Sequence, residues 1–239
     1  MDELKNDIIE GRNAVLEALR AGRAIDKLYI ARGETDRALG HIAGLARERG
    51  IAVSDCDRRK LDAMSVTRRS YASLDDILAV AAERGEEPFV VVCDEISDPH
   101  NLGAIIRSAE CAGAHGVVIP KHRSAGLTAV VGKTSAGAAE HMAVARVASV
   151  AAALEELKAR GLWVYGAAAE GSSPMWETDF SGPACLVIGS EGEGLGRLVR
   201  ERCDFLVSIP LRGQVSSLNA SAAAAVLLYE ILRQKSAGK

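Results

Sequence analysis

Three stretches beyond residue 90 of the 239-residue chain carry residue types from which a reaction could be built. The first runs from Asp94 to Arg107, DEISDPHNLGAIIR. Asp98 and Pro99 spell a helix start, because Asp accepts from orphan amides and Pro has no amide to leave unpaired. Leu102, Ile105, Ile106 and Ala109 then fall on one buried face, which leaves Asn101 and Arg107 for other work. Arg107 is a planar fork of donors suited to phosphate oxygens. The second stretch, Gly189 to Gly196 (GSEGEGLG), follows the apolar run Cys185–Ile188. A glycine-rich turn at the carboxyl end of a parallel strand is where α/β sheets bind ligands. No G-x-G-x-x-G register fits, and Glu191 and Glu193 would repel a pyrophosphate. The turn better suits a ligand with a positive centre or hydroxyl donors, read partly by backbone groups. The third stretch, Ile209 to Ser221, leads into an Ala-rich run to Gln234. Ser216 or Ser217 is expected to cap that final helix, whose small side chains let a backbone or a flat ligand approach closely. Each stretch also has a plainer use, as a strand-to-helix turn, a surface Arg or a helix cap.

Other candidates are weaker. Gly132-Lys133-Thr134 imitates the end of a phosphate-binding loop. Gly126 leaves five intervening residues where that motif has four, and the stretch is apolar and helix-like. The cysteines Cys56, Cys93, Cys111, Cys185 and Cys203 are scattered, without a C-x-x-C pair, and read as reduced thiols of a cytoplasmic protein. The histidines show no ligand spacing, so no metal is expected. Arg58, Arg59, Lys60, Arg68 and Arg69 give net +3 over residues 56–70 once Asp57 and Asp62 are counted. Such a run is either a solvated face or an RNA contact.

The elements that must hold these stretches follow from patterning. Residues 1–70 form a small α/β unit. A helix follows Gly11, a strand spans Lys27–Ala31, a helix capped by Thr35 runs to about Arg49, a strand starts at Ile51–Val53, and a short helix covers Asp57–Met64. Residues 71–88 read as a linker containing a helix with a capping box from Ser73 to Asp76. From 89 to 239, apolar runs alternate with helices: Phe89–Cys93, Gly116–Ile119, Ala143–Val147, Leu162–Ala167, Ala184–Ile188 and Phe205–Ile209. Runs without alternation suit a mostly parallel sheet covered on both faces.

Composition narrows the class. Hydrophobic residues make up 48% and charged residues 26%, ordinary for a globular protein. The longest apolar run, Ala222–Tyr229, is too short to span a membrane, and the acidic start is not a signal peptide. A net charge of -3 excludes a protein that coats nucleic acid by bulk charge. It leaves room for local basic contacts at Arg58–Lys60, Arg68–Arg69, Lys121–Arg123 and Arg107.

Taken in order, Asn101-x5-Arg107, Leu186–Leu195 and Ile209–Ser221 resemble the three motifs of the SpoU/TrmH group of SPOUT RNA 2′-O-methyltransferases. The opening Ile9–Leu19 is similar to the substrate-binding extension of the RlmB-type members, which methylate a guanosine ribose in 23S rRNA. The resemblance implies an L30e-like N-terminal α/β domain that binds RNA, followed by a trefoil-knotted α/β methyltransferase domain working as a homodimer. It implies S-adenosylmethionine as cofactor, held near Ala168, Gly189, Gly194, Ile209 and Leu218. It also implies a catalytic surround of Arg107, Asn101, Glu191, Ser217 and Asn219, and leaves open whether Arg107 comes from the same chain or from the facing subunit. RNA is the expected partner, with no DNA and no membrane. Because guanidinium stays protonated, Arg107 is expected to clamp phosphate and stabilise the developing alkoxide. The pattern departs from the family at one point: Met64–Ser70 runs directly into Tyr71-Ala72-Ser73-Leu74, where relatives carry a His-Gln-Gly-type strand segment. Two alternatives stay open, a tRNA substrate and a non-catalytic RNA-binding or ribosome-assembly protein.

Overall fold

The computed structural model describes residues 9, 11–23, 25, 27–33, 36–57, 71–169 and 173–237. The N-terminal unit contains helix α1 (Arg12–Arg20), strand β1 (Lys27–Ala31), helix α2 (Arg37–Glu48) and strand β2 (Ala52–Cys56). The two strands pair in parallel, Lys27 opposite Ala52. Leu19, Leu28, Ile42 and Ala46 form its small core. Asp36 caps α2, its carboxylate accepting from the Ala38 amide at 3.0 Å. Thr35, the expected cap, lies outside the described residues, as do Arg58, Arg59, Lys60, Arg68, Arg69 and most of the expected Asp57–Met64 helix.

The larger unit is a seven-stranded parallel sheet in the order β5-β4-β3-β8-β6-β9-β7. Its strands are β3 (Phe89–Cys93), β4 (Gly116–Pro120), β5 (Ala143–Val147), β6 (Trp163–Ala167), β7 (Ser173–Pro174), β8 (Ala184–Ile188) and β9 (Phe205–Ser208). All five residues of β3, β4 and β8 are buried, as apolar runs covered on both faces require. Two-residue β7 was not legible in the sequence. Strand β8 enters between β3 and β6, bonded to both, although both precede it in the chain.

Helices cover the two faces. On one lie α4 (Pro99–Cys111), α5 (Ala129–Thr134) and α8 (Ala220–Ala237), and on the other α3 (Leu74–Arg84), α6 (Val150–Ala159) and α7 (Arg197–Arg202). Residues 71–88, read as a linker, are instead built into this domain. Ser73 and Asp76 form the expected reciprocal capping box, Ala72 donates to the Val144 carbonyl at 2.8 Å, and Ile77 is fully buried. The two units touch through α1. Glu17 meets His141 at 2.8 Å, and Arg23 meets Glu140 at 2.6 Å. The His141 hydrogen bond holds the Glu17 carboxyl below its usual range.

Trp163, Phe205, Tyr165 and Phe180 form an aromatic ladder near the start of β6 and β9, with centroid spacings of 4.7–5.7 Å. Among the described residues, no helix is long and apolar enough to cross a membrane.

The seat of α3 on the sheet makes a prediction. A Cβ added at Gly116 would lie 2.4 Å from Ile77 Cγ1. Gly116→Ala is expected to destabilise by about 1–3 kcal/mol through overpacking. Ile77→Ala should cost about 2–5 kcal/mol through the cavity it leaves. Urea denaturation of the double variant should show a loss smaller than the sum, since each change relieves the other.

Candidate functional site

A fully parallel sheet sends every strand's carboxyl end to the same edge, so the loops after β3, β6, β8 and β9 converge there. Those ends carry Asp94, Ala168, Gly189 and Ile209. The edge therefore collects the three stretches singled out in the sequence.

Helix α4 starts as its sequence demands, with Asp98 accepting from the His100 amide at 2.8 Å and Pro99 in the first turn. Leu102, Ile105, Ile106 and Ala109 are fully buried against the sheet and α8. Asn101 is 7% exposed, and a buried amide needs partners. Its Nδ2 donates to Glu191 Oε1 at 2.8 Å. Its Oδ1 accepts from Asn219 Nδ2 at 3.0 Å, and the same Asn219 amide donates to Glu191 Oε1. Three residues separated by 90 and 118 positions thus close one hydrogen-bonded ring.

Asn219 has a second task that corrects the sequence reading. Its Oδ1 accepts from the Ser221 amide at 3.0 Å and the Ala222 amide at 3.2 Å, so Asn219 caps α8, in place of Ser216 or Ser217. One carboxamide faces the helix with its oxygen and the Asn101–Glu191 pair with its nitrogen. Ser217 is exposed and takes no part in this ring. Arg107 also lies apart. It is exposed, six residues or about 9 Å along α4 from Asn101, and no hydrogen bond or ion pair holds it among the described residues.

Gly189 and Gly194 lie in the glycine loop, Ala168 and Ile209 directly follow the next two strands at the same edge, and Leu218 immediately precedes Asn219. A Cβ at Gly189 would sit 2.2 Å from the Gly194 carbonyl carbon, so only glycine permits this crossing of the chain. Ser190 and Gly194 exchange reciprocal backbone bonds of 3.0 Å, and Gly194 takes φ +68°. Strand β6 lies between β8 and β9, so Ala168 is flanked by Gly189 and Ile209. Leu218 is 41% exposed beside Asn219. Small or apolar side chains and backbone groups line this edge, with Glu191 and Glu193 in the loop. That lining fits a nucleoside bearing a positive centre better than a polyphosphate.

Sequence reasoning passed over Asp94, which is 4% exposed and accepts from the Gly196 amide at 2.8 Å. A carboxylate directly after an all-apolar strand was the available signal. The Gly132-Lys133-Thr134 imitation falls inside α5 and forms no loop. Burial pushes the Cys93 and Cys203 thiols up to about 12 and raises Cys185 as well, which leaves them inert as nucleophiles at neutral pH. A cavity of about 850 Å³ beside Tyr165, Asp204 and Phe205 flanks the start of β9, away from Ile209.

Comparison with known proteins matches the two parts of the chain to two families. Residues 88–229 match the SpoU rRNA Methylase family, and residues 8–70 match the RNA 2′-O ribose methyltransferase substrate-binding family. A Bacillus subtilis protein, YacO, named as a TrmH family tRNA/rRNA methyltransferase, is 45% identical over 241 residues, covering 97% of each chain. The SpoU methyltransferase AviRb of Streptomyces viridochromogenes, solved with AdoMet, superposes with a TM-score of 0.80 at 29% identity, over 96% of this chain and 90% of that one. An RNA 2′-O ribose methyltransferase structure gives a TM-score of 0.75 at 26% identity, over 95% and 88% of the two chains.

The double duty of Asn219 can be separated by substitution. Asn219→Ala should lower stability by about 0.5–2 kcal/mol, the ordinary cost of a lost cap. Asn219→Ser should recover most of that in thermal unfolding, yet leave Asn101 Oδ1 without its donor and Glu191 with Asn101 alone. The amide signals of Asn101 in NMR spectra should therefore shift alike in both variants.

Proposed function

The chain belongs to the SpoU family of RNA methyltransferases, and from that premise we propose how it acts and on what. It is an S-adenosylmethionine-dependent RNA ribose 2′-O-methyltransferase. Its substrate, in our reading, is a guanosine ribose of 23S rRNA, presented by the N-terminal unit with help from Arg58, Arg59, Lys60, Arg68 and Arg69. The match of residues 8–70 to a substrate-binding family supports the role of that unit. The observation that carries the proposal is the ring of Asn101, Glu191 and Asn219 beside the glycine cradle.

Ala168, Gly189, Gly194, Ile209 and Leu218 would hold the cofactor, their backbone groups reading the adenosine and their apolar surface covering it. S-adenosylmethionine supplies, when bound, a methyl group made electrophilic by a positive sulfur. The protein's own residues must then align a ribose hydroxyl and manage its proton. Alignment alone is worth about 7–11 kcal/mol in ideal cases. Asn101 and Asn219 fix the Glu191 carboxylate, and Ser217, exposed on the following loop, would meet the substrate. Arg107 would clamp the phosphate next to the target and stabilise the developing alkoxide. Its guanidinium cannot serve as a base at neutral pH.

Within one chain Arg107 stands away from the ring, so we assign it to the site of a facing subunit in a homodimer. The exposed apolar residues Leu211 and Val215, in the segment leading to Asn219, and Val226 and Tyr229, further along α8, support such pairing. The knotted path implied by the family belongs to the same proposal. Free, unpaired cysteines accord with a cytoplasmic protein.

Methyl-transfer assays test the scheme. Arg107→Ala and Arg107→Lys should both lose activity by about a hundredfold or more, because a point charge does not replace the fork. Full activity in Arg107→Lys would remove the fork from the mechanism. Mixing Arg107→Ala with Asn101→Ala subunits should restore activity to two inactive proteins, since one mixed site is intact. Absence of restoration would place Arg107 in its own chain's site. Mapping ribose methylation in rRNA and tRNA after deleting the gene decides the target, and a lost tRNA mark would overturn the 23S assignment.

A further inference from the structure

We propose that Asp94 is a positioning residue that clips both ends of the glycine loop and so sets the cofactor cradle and the place of Glu191. The proposal rests on reading that loop as the cradle. Asp94 is the first residue beyond β3, and its backbone amide donates to the Ile188 carbonyl at 2.8 Å, where the loop begins. Its Oδ2 accepts from the Gly196 amide at 2.8 Å, where the loop ends. One residue of the neighbouring strand therefore fixes the entry by its main chain and the exit by its side chain. The Ser190–Gly194 bonds close the loop between these points, and Glu191 reaches from it to Asn101 and Asn219.

The energetics argue against a purely structural purpose. Asp94 is 4% exposed, and burial pushes its carboxyl above the usual range while the Gly196 amide pulls it back down. Glu95 opposes its ionisation, and Arg123, whose charge favours it, is paired with Glu95 at 3.0 Å. A single neutral amide offsets little of the desolvation of a carboxylate. An apolar residue at the strand end would fill the space at lower cost, but would leave Gly196 untethered. Gly196 starts α7 without a side-chain cap of its own, so the Asp94 bond is what fixes the loop's exit.

The loop's amides and cofactor binding report this role separately. Asp94→Ala should weaken S-adenosylmethionine binding, measured by titration calorimetry, by about ten- to a hundredfold. It should also speed hydrogen exchange at the Gly194–Gly196 amides in the free protein, with the β4 amides unchanged. Asp94→Asn, whose Oδ1 can accept the same bond, should bind within about threefold of the unmodified protein. Should Asp94→Ala fail to fold, Asp94→Ser, one bond too short to reach Gly196, must show the same two effects. Unaltered binding and unaltered loop exchange in the variant that folds would overturn the proposal. Gly189→Ala serves as the control for the cradle itself. If it binds S-adenosylmethionine normally, the cradle reading fails, while exchange at Gly194–Gly196 still reports whether Asp94 holds the loop.

Discussion

Strand β8 is hydrogen-bonded on both sides, to β3 and to β6, and everything at the functional edge depends on that placement. With β8 in the centre, the glycine loop emerges between Asp94 at the end of β3 and Ala168 at the end of β6. The loop then lies within reach of Asn101 at the start of α4 and Asn219 at the start of α8. A strand at the sheet's edge could offer its loop only one such neighbour. The cost is a strict demand for small residues, since Gly189 must pass within contact of Gly194 and Gly166 must accommodate Leu195 and Cys203.

Much of this was legible before any coordinates. The apolar runs without alternation gave the strands to within a residue or two, because burial on both faces leaves no solvent-facing positions to encode. The caps at Ser73 and Asp98 were readable because each bond is local, made to an amide two or three residues away. The start of α8 was not, for a physical reason. Ser216, Ser217 and Asn219 are all competent caps, and the choice falls to Asn219, whose amide nitrogen also bonds partners far away in sequence. Asp94 escaped notice for the same cause, since its partner lies 102 positions further on. Residues 71–88 looked like a linker because the break at Gly85–Pro88 is conspicuous, whereas the fit of Ile77 over Gly116 exists only in three dimensions. The family motifs supplied the order of the site residues; the ring that joins Asn101, Glu191 and Asn219 is a property of the fold.

Charge balance acquires a spatial meaning here. Many basic side chains are engaged: Arg160 with Asp75 and Glu156, Lys158 with Asp204, Arg202 with Glu155, Arg233 with Glu230. Lys121 and Arg212, near the carboxyl edge, and Arg107 on α4 make no ion pair among the described residues. A chain of net charge -3 can thus keep cations available where an RNA backbone would lie, without a generally basic surface. Glu17 of α1 and Arg23 just beyond it, bonded to His141 and Glu140, hold the N-terminal unit against the turn that in turn packs on α4.

The central seat of β8 also governs how the molecule comes into being. During synthesis, β3 and β6 are both made before the strand that joins them, and each leaves a row of backbone donors and acceptors unpaired until β8 arrives. Pairings across 90 and 118 residues form late, because loop closure must precede the contacts that reward it. The ring is complete only once Asn219, which lies beyond every strand of the sheet, has been made.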